Sequence, residues 1–174
     1  LLERGAAITM EIAAELALEL EEKGGCMSVY HAMSDADVVR IMQHPRTMVA
    51  SDGGIHMPAA DAPHPRNYGS YARVLGGYVR EEGVLGIGEA IHKMSRMPAD
   101  RIGLSESGRI EVGAMAVFAV LDTGRVIDRA TFADPHQLSE GVHHVLVNGQ
   151  AVLLNGEMTG VRPGRILKSV PVEF

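Results

Sequence analysis

Near the start of the chain, apolar residues recur every fourth position at Ile8, Ile12, Leu16 and Leu20, with Ala13 and Ala17 beside them. Glu11, Glu15 and Glu19 mark another face, so the pattern predicts an amphipathic helix. Thr9 is placed to cap its first turn, Lys23 suits the negative end of the helix dipole, and Gly24-Gly25 stops it. Residues 26–31 read as a short strand. A second helix is predicted from Ser34, where Ser34 and Asp37 have capping-box spacing and Asp35 adds negative charge to the first turn. Val38, Ile41 and Met42 form its inner side, and His44-Pro45 ends it because the residue before proline avoids the helical region. Residues 47–51 are an apolar run short enough for a buried strand, and they lead into Asp52-Gly53-Gly54. Helix, short loop, buried strand, Asp and Gly make an αβ unit of the kind that builds parallel sheets and barrels.

Residues 53–68 form a long loop holding His56, Pro58, Pro63, His64 and Pro65, and loops of that length at strand ends often carry function. Tyr71, Val74, Leu75, Tyr78 and Val79 return to helical spacing. Ile87, Ala90, Ile91 and Met94 give another helix, with a stop near Pro98. After residue 104 the character changes, and glycines punctuate short β-rich runs without matching a phosphate-binding pattern. Residues 116–121 are a buried strand candidate. Val145, Leu146 and Val147, then Asn148-Gly149, then Ala151, Val152 and Leu153 predict a hairpin, since Asn-Gly supplies the positive φ of a type I′ turn. Asn155-Gly156 marks a second turn. The chain is thus expected to divide into an α/β part, residues 1–104, and a small all-β part, residues 105–174.

Composition narrows the function classes. A chain of 174 residues with 46% hydrophobic positions has material for one core. Aromatics make up 4% and Trp is absent, so aliphatic residues and the ten Met must fill that core. A formal charge of −6 with scattered Lys and Arg argues against a nucleic-acid surface. One Cys excludes an internal disulfide framework and a Cys-rich zinc site, which makes the reducing cytoplasm the expected compartment. No apolar run reaches the roughly 18 residues of a membrane span, and no signal peptide is visible. The chain opens at Leu1 and enters a helix almost at once, which reads as a start inside a longer protein.

Asp52 is the first candidate for chemistry, because barrel enzymes place catalytic groups at the C-terminal ends of buried strands. A turn cap or an ion pair at a strand end would use the same carboxylate. Cys26 reads as a small buried residue rather than a nucleophile, and His31 as structural.

Three further segments join the one at Asp52: Pro63-His64-Pro65-Arg66-Asn67-Tyr68-Gly69, Asp134-Pro135-His136-Gln137 and Arg162-Pro163-Gly164-Arg165. Together they resemble the C-terminal part of N-acyl-D-amino-acid deacylases (D-aminoacylases), members of the metal-dependent amidohydrolase superfamily. The resemblance runs from about Ile8 onward and implies the last part of a (β/α)8 hydrolase barrel followed by part of a small β-sandwich domain. It also implies zinc in the full-length enzyme and a small N-acyl-D-amino acid as substrate. It casts Asp52 as general acid/base and as a candidate ligand of a second metal, with the main metal ligands outside this chain. Arg66 matches the position expected to grip the substrate carboxylate, which its planar fork suits. His64 is a candidate for lining that pocket, and His56 a weaker one; His136, His143 and His144 are read as structural or surface residues.

The chain departs from the family pattern in lacking its His-x-His pair. Val117 follows Gly113-Ala114-Met115-Ala116 where the family usually has Asp. Cys26 does not match the family's metal-ligand Cys. A partial barrel leaves open edges and apolar surface, so the isolated chain is expected to be inactive and to associate with itself or with the remainder of the same protein. The rival readings are a different amidohydrolase activity on the same scaffold and a truncated, non-catalytic module.

Overall fold

A computed structural model describes residues 9–25, 29, 32–55, 57 and 62–168. The chain divides into two compact units, Leu1–Ala32 and Met33–Phe174. Among the described residues, no helix is long and apolar enough to cross a membrane.

The first unit carries helix α1, Met10–Glu22. Thr9 caps it as predicted, its hydroxyl accepting the Ile12 N–H at 3.3 Å. The C-terminus closes in a Schellman motif: Gly24 N–H donates to the Glu21 carbonyl at 3.0 Å and Gly25 N–H to the Leu20 carbonyl at 2.9 Å. Both glycines have positive φ, +103° and +78°, which a side chain would resist. No residue of α1 is buried. The predicted strand over 26–31 falls largely outside the described residues, as do Ile8, Cys26, His31 and His56.

The second unit begins with α2, Asp35–Gln43. Ser34 occupies the N-cap position, but its side chain makes no capping bond. Instead the Asp37 and Val38 N–H groups meet its carbonyl at 3.1 and 3.0 Å, so the expected capping box is not formed. His44 leaves the helical region with ψ of 131°, as Pro45 requires.

Residues 47–51 correct the sequence reading. They were expected to form a buried strand, yet among the described residues no strand pairs with them. The segment is held from one side by a helix: Val49 N–H donates to the Lys93 carbonyl at 3.1 Å, and the Thr47 carbonyl accepts from Lys93 Nζ at 3.1 Å. A strand exists only through its neighbours. Here the hydrophobic pattern specifies burial, and Val49 does pack on the core, but the hydrogen-bonding partner is a side chain and a helix backbone.

Helix α3, Arg66–Arg73, continues directly into a π-helix over Val74–Glu81. The single α-helix predicted here therefore changes pitch at Val74, and Glu82 N–H closes on the Gly77 carbonyl at 2.9 Å. The change coincides with backbone contact: a Cβ on Gly76 would lie 2.5 Å from both Ile127 Cδ1 and the Val126 carbonyl. Helices α4, Ile87–Met94, and α5, Arg96–Arg101, follow. Pro98 lies in the first turn of α5 rather than beyond a helix end, a position where its missing N–H costs nothing.

Among the described residues, four strands follow: β1 (Phe118–Leu121), β2 (Val142–Val147), β3 (Gln150–Leu154) and β4 (Glu157–Met158). They form one antiparallel sheet in sequence order. The Asn148-Gly149 turn has φ of +48° and +77°, as the type I′ prediction requires, and Asn155-Gly156 repeats it with +53° and +82°. The buried centre combines Ala72, Val74, Leu75, Leu85, Ala90 and Val126, with Met42, Val49, Leu121 and Val142 packed against it. Helices and the approach to the sheet thus share one core.

Candidate active site

The site is built where the end of the 47–51 segment meets the start of α3. Ser51 turns its hydroxyl inward, donating to Ser70 Oγ at 3.0 Å and accepting the Gly53 N–H at 3.0 Å. Ser70 Oγ in turn donates to the Arg66 carbonyl at 3.0 Å. Gly53 permits the approach, because a Cβ there would lie 2.7 Å from the Arg66 carbonyl and 3.1 Å from Asn67 Cα. Asn67 secures the next peptide, its Oδ1 accepting the Gly54 N–H at 2.8 Å.

Two charged side chains emerge from this junction. Arg66 Nη2 lies 2.8 Å from Asp52 Oδ2. The Asp52 side chain is 88% exposed and that of Arg66 44%, so water competes for both. Exposed pairs of this kind contribute about 0–1 kcal/mol, and a stronger partner for either group can displace the other. The ion pair considered from sequence for Asp52 is therefore present, in a form weak enough to open.

His64 stands two residues before Arg66. Its Nδ1 accepts the Arg66 N–H at 3.0 Å, and its ring meets Phe132 edge to face at 5.1 Å. The imidazole thus supports the backbone of Arg66. Tyr68 and His136 pair at 2.7 Å between Oη and Nδ1, and Ser139 Oγ donates to the Tyr68 carbonyl at 2.8 Å. Arg73 bridges to Asp128 at 2.6 Å, and the Asp128 side chain is only 7% exposed. Gly69 lies against Asp128, where a Cβ would collide with that residue's own Cβ. Helix α3 is thereby fastened along its length to residues 128–139.

Of the residues singled out from sequence, Asp52, Arg66 and His64 come together. His136 backs α3 through Tyr68, while His143 is exposed on β2 and His144 Nδ1 accepts the Asn155 N–H at 3.0 Å. The Ser51–Ser70 and Gly54–Asn67 contacts have no local sequence signal; Asn67 could be found only through its place in the Pro-His-Pro-Arg-Asn segment. A metal ion would need more donors than Asp52 supplies. Among the described residues no three His, Cys, Asp or Glu side chains gather to hold one. The described residues therefore do not form a metal site by themselves.

Residues 7–153 match the model of the Amidohydrolase family. An N-acyl-D-glutamate deacylase of Alcaligenes xylosoxydans xylosoxydans is 47% identical over 141 residues, covering 81% of this chain and 28% of that protein. An N-acyl-D-aspartate deacylase of the same organism is 42% identical over 162 residues, covering 90% and 32%. Among solved structures, the N-acyl-D-glutamate deacylase of Bordetella bronchiseptica, in complex with zinc and a phosphonate inhibitor, aligns with a TM-score of 0.72 and 43% identity. That alignment covers 80% of this chain and 29% of the other. A D-aminoacylase with a binuclear metal centre aligns with a TM-score of 0.69 and 40% identity, covering 74% and 27%. The chain thus spans about a third or less of the length of these relatives. On the match across most of its length, the chain belongs to the amidohydrolase family.

Proposed function

We propose that this chain is the C-terminal portion of a zinc-dependent deacylase that hydrolyses N-acyl-D-amino acids to a carboxylate and a D-amino acid. On this reading, residues 1–104 supply the end of a (β/α)8 barrel and residues 105–174 part of a small β-sandwich domain. On the same reading, the main metal ligands belong to parts of the enzyme outside this chain.

The observation that carries the proposal is the Asp52–Arg66 pair: a carboxylate and a guanidinium side by side at the start of α3. Asp52 takes the proton of the attacking water and delivers it to the leaving nitrogen. Arg66 holds the substrate α-carboxylate by its two-pronged guanidinium. The resting ion pair fits this division of labour. A substrate carboxylate arriving at Arg66 replaces Asp52 as its partner and leaves the Asp52 carboxylate free to accept a proton. His64 fixes the backbone from which Arg66 projects, and on this reading it also contributes to substrate binding.

The test is a fusion of this chain to the portion of the N-acyl-D-glutamate deacylase that it does not span, loaded with zinc and assayed on N-acetyl-D-glutamate and N-acetyl-D-methionine. The reading expects turnover by the fusion, none by the chain alone, and loss on the order of 1,000-fold or more in Asp52→Asn, the scale of removing a group central to proton transfer. A folded, zinc-containing fusion that hydrolyses no N-acyl-D-amino acid would overturn it.

A further inference from the structure

Lys93 is a buried charged residue, only 2% exposed. An ammonium group in that position is costly unless its donors are met. Nζ donates to the His44 carbonyl at 2.6 Å and to the Thr47 carbonyl at 3.1 Å, with Glu89 Oε1 at 3.8 Å from the preceding turn. The backbone of the same residue adds a further contact, since its carbonyl accepts the Val49 N–H at 3.1 Å. One residue of α4 therefore grips the chain at His44, Thr47 and Val49.

The gripped segment is the one that delivers Asp52. Among the described residues no strand pairs with it, and two of its backbone groups, the Thr47 carbonyl and the Val49 N–H, bond to Lys93. The grip itself is rigidly based: Ala90, one turn before Lys93, is fully buried, and Met94 packs on the same core. Arg66 is held by His64 and by Ser70 of its own helix, and the Ser51 hydroxyl links it to the gripped segment.

We infer that Lys93 is a positioning residue for Asp52, tying the segment that carries the proton-transfer group to α4 while leaving the carboxylate receptor to α3. This rests on the acid/base reading of Asp52. Because the His64 and Ser70 contacts of Arg66 do not pass through the tether, the effect on kcat exceeds that on KM. Loss of the Lys93 tether moves Asp52 and lowers kcat, whereas Arg66 keeps those two contacts and KM changes little.

Three measurements test it. In the unmodified chain, reductive methylation followed by mass spectrometry modifies Lys23 and Lys168, both exposed, and spares Lys93. In the chain carrying Lys93→Met, which keeps the length of the side chain and removes its donors, hydrogen exchange at Val49 quickens while the β2–β3 hairpin keeps its protection. In the zinc-loaded fusion, the same substitution lowers kcat on the order of 100-fold, the scale of an ångström misplacement of a reacting group, with KM for N-acetyl-D-glutamate within about twofold. Unchanged exchange at Val49, unchanged kcat, or an equal loss through KM would each overturn the inference. An inactive unsubstituted fusion would instead sink the deacylase reading, and the Val49 exchange would still decide whether the tether exists. Should Lys93→Met fail to fold, methylation of Lys93 in the unmodified chain at the rate of Lys23 would be the overturning result.

Discussion

At the level of single residues, Asp52 and Arg66 neutralise each other in the open, and the proposed reaction needs each to act separately. Replacing Arg66 by Ala takes away the carboxylate receptor and leaves Asp52 without its resting partner. In the fusion, KM for an N-acyl-D-amino acid should rise on the order of 10- to 100-fold, the worth of hydrogen bonds to a charged group. Arg66→Lys should restore little of it, because a point charge does not reproduce the planar fork. A substrate lacking a carboxylate would be indifferent to both changes, which separates a deacylase from another amidohydrolase. A second ion pair lets pH serve as the probe. Arg129 Nη2 meets Glu140 Oε2 at 2.7 Å, and this hydrogen bond, helped by the Arg129 and Arg125 charges, holds the Glu140 carboxyl below its ordinary pKa. The folded state therefore favours the charged carboxylate. The contribution is present above the ordinary Glu range and is lost as pH falls through the lowered folded value. An NMR titration of the Glu140 carboxyl should show a midpoint that returns to the ordinary range in Arg129→Gln and moves toward it in high salt, since both groups are exposed. Asp52 and Arg66 could be singled out from the sequence, Asp52 by its place after an apolar run and Arg66 by the resemblance that the Pro-His-Pro-Arg segment carries. Lys93 was not, because a lysine on a helix announces a solvated face and only the fold shows it buried.

The elements whose signals are local are the ones that the sequence predicted well. Thr9, Gly24-Gly25, His44-Pro45 and Asn148-Gly149 each impose a dihedral preference that no distant contact needs to supply. The segment over 47–51 and the helix through Val74 differ, because pairing and pitch depend on what arrives from elsewhere. Apolar spacing placed Val74 and Leu75 on the buried side, but it held no sign that residues 126–127 would press on Gly76 and that the turn there would widen. This contact yields a prediction at the scale of the element. Gly76→Ala sets a methyl against Ile127 and the carbonyl of the buried core residue Val126, and should destabilise the protein by about 1–3 kcal/mol as overpacking does. Gly77→Ala, one position on, meets only Arg73 Cγ at 3.9 Å and should change stability by well under half of that. Equal thermal shifts for the two variants would show that the contact with residues 126–127 is not what holds the π-turn in place.

For the molecule as a whole, the surface is the feature that its length relative to its kin makes intelligible. Ile55 is 102% exposed, Val112 107% and Ile166 93%, while the apolar core of the second unit is small. β1 and β4 have no further neighbour in the sheet of the described residues, so each presents an edge. Single exposed apolar side chains are ordinary on a complete protein. Their number, in a chain that covers 28% of one deacylase relative and 32% of another, accords with the proposal that this chain is part of a longer enzyme. The isolated chain should therefore associate: sedimentation equilibrium should give a mass that climbs above the monomer as concentration rises, with dye binding that reports accessible apolar surface. Joining it to the remaining portion of the N-acyl-D-glutamate deacylase should cover that surface. The dye signal per mole of this chain should fall, and the association should weaken to the behaviour of the relative. A monodisperse monomer at all concentrations, with no dye binding, would mean that the exposed apolar residues are dispersed rather than gathered into a docking face. The chain would then stand as a self-sufficient module, and the case for a catalytic site completed by other parts of a longer enzyme would lose its structural support.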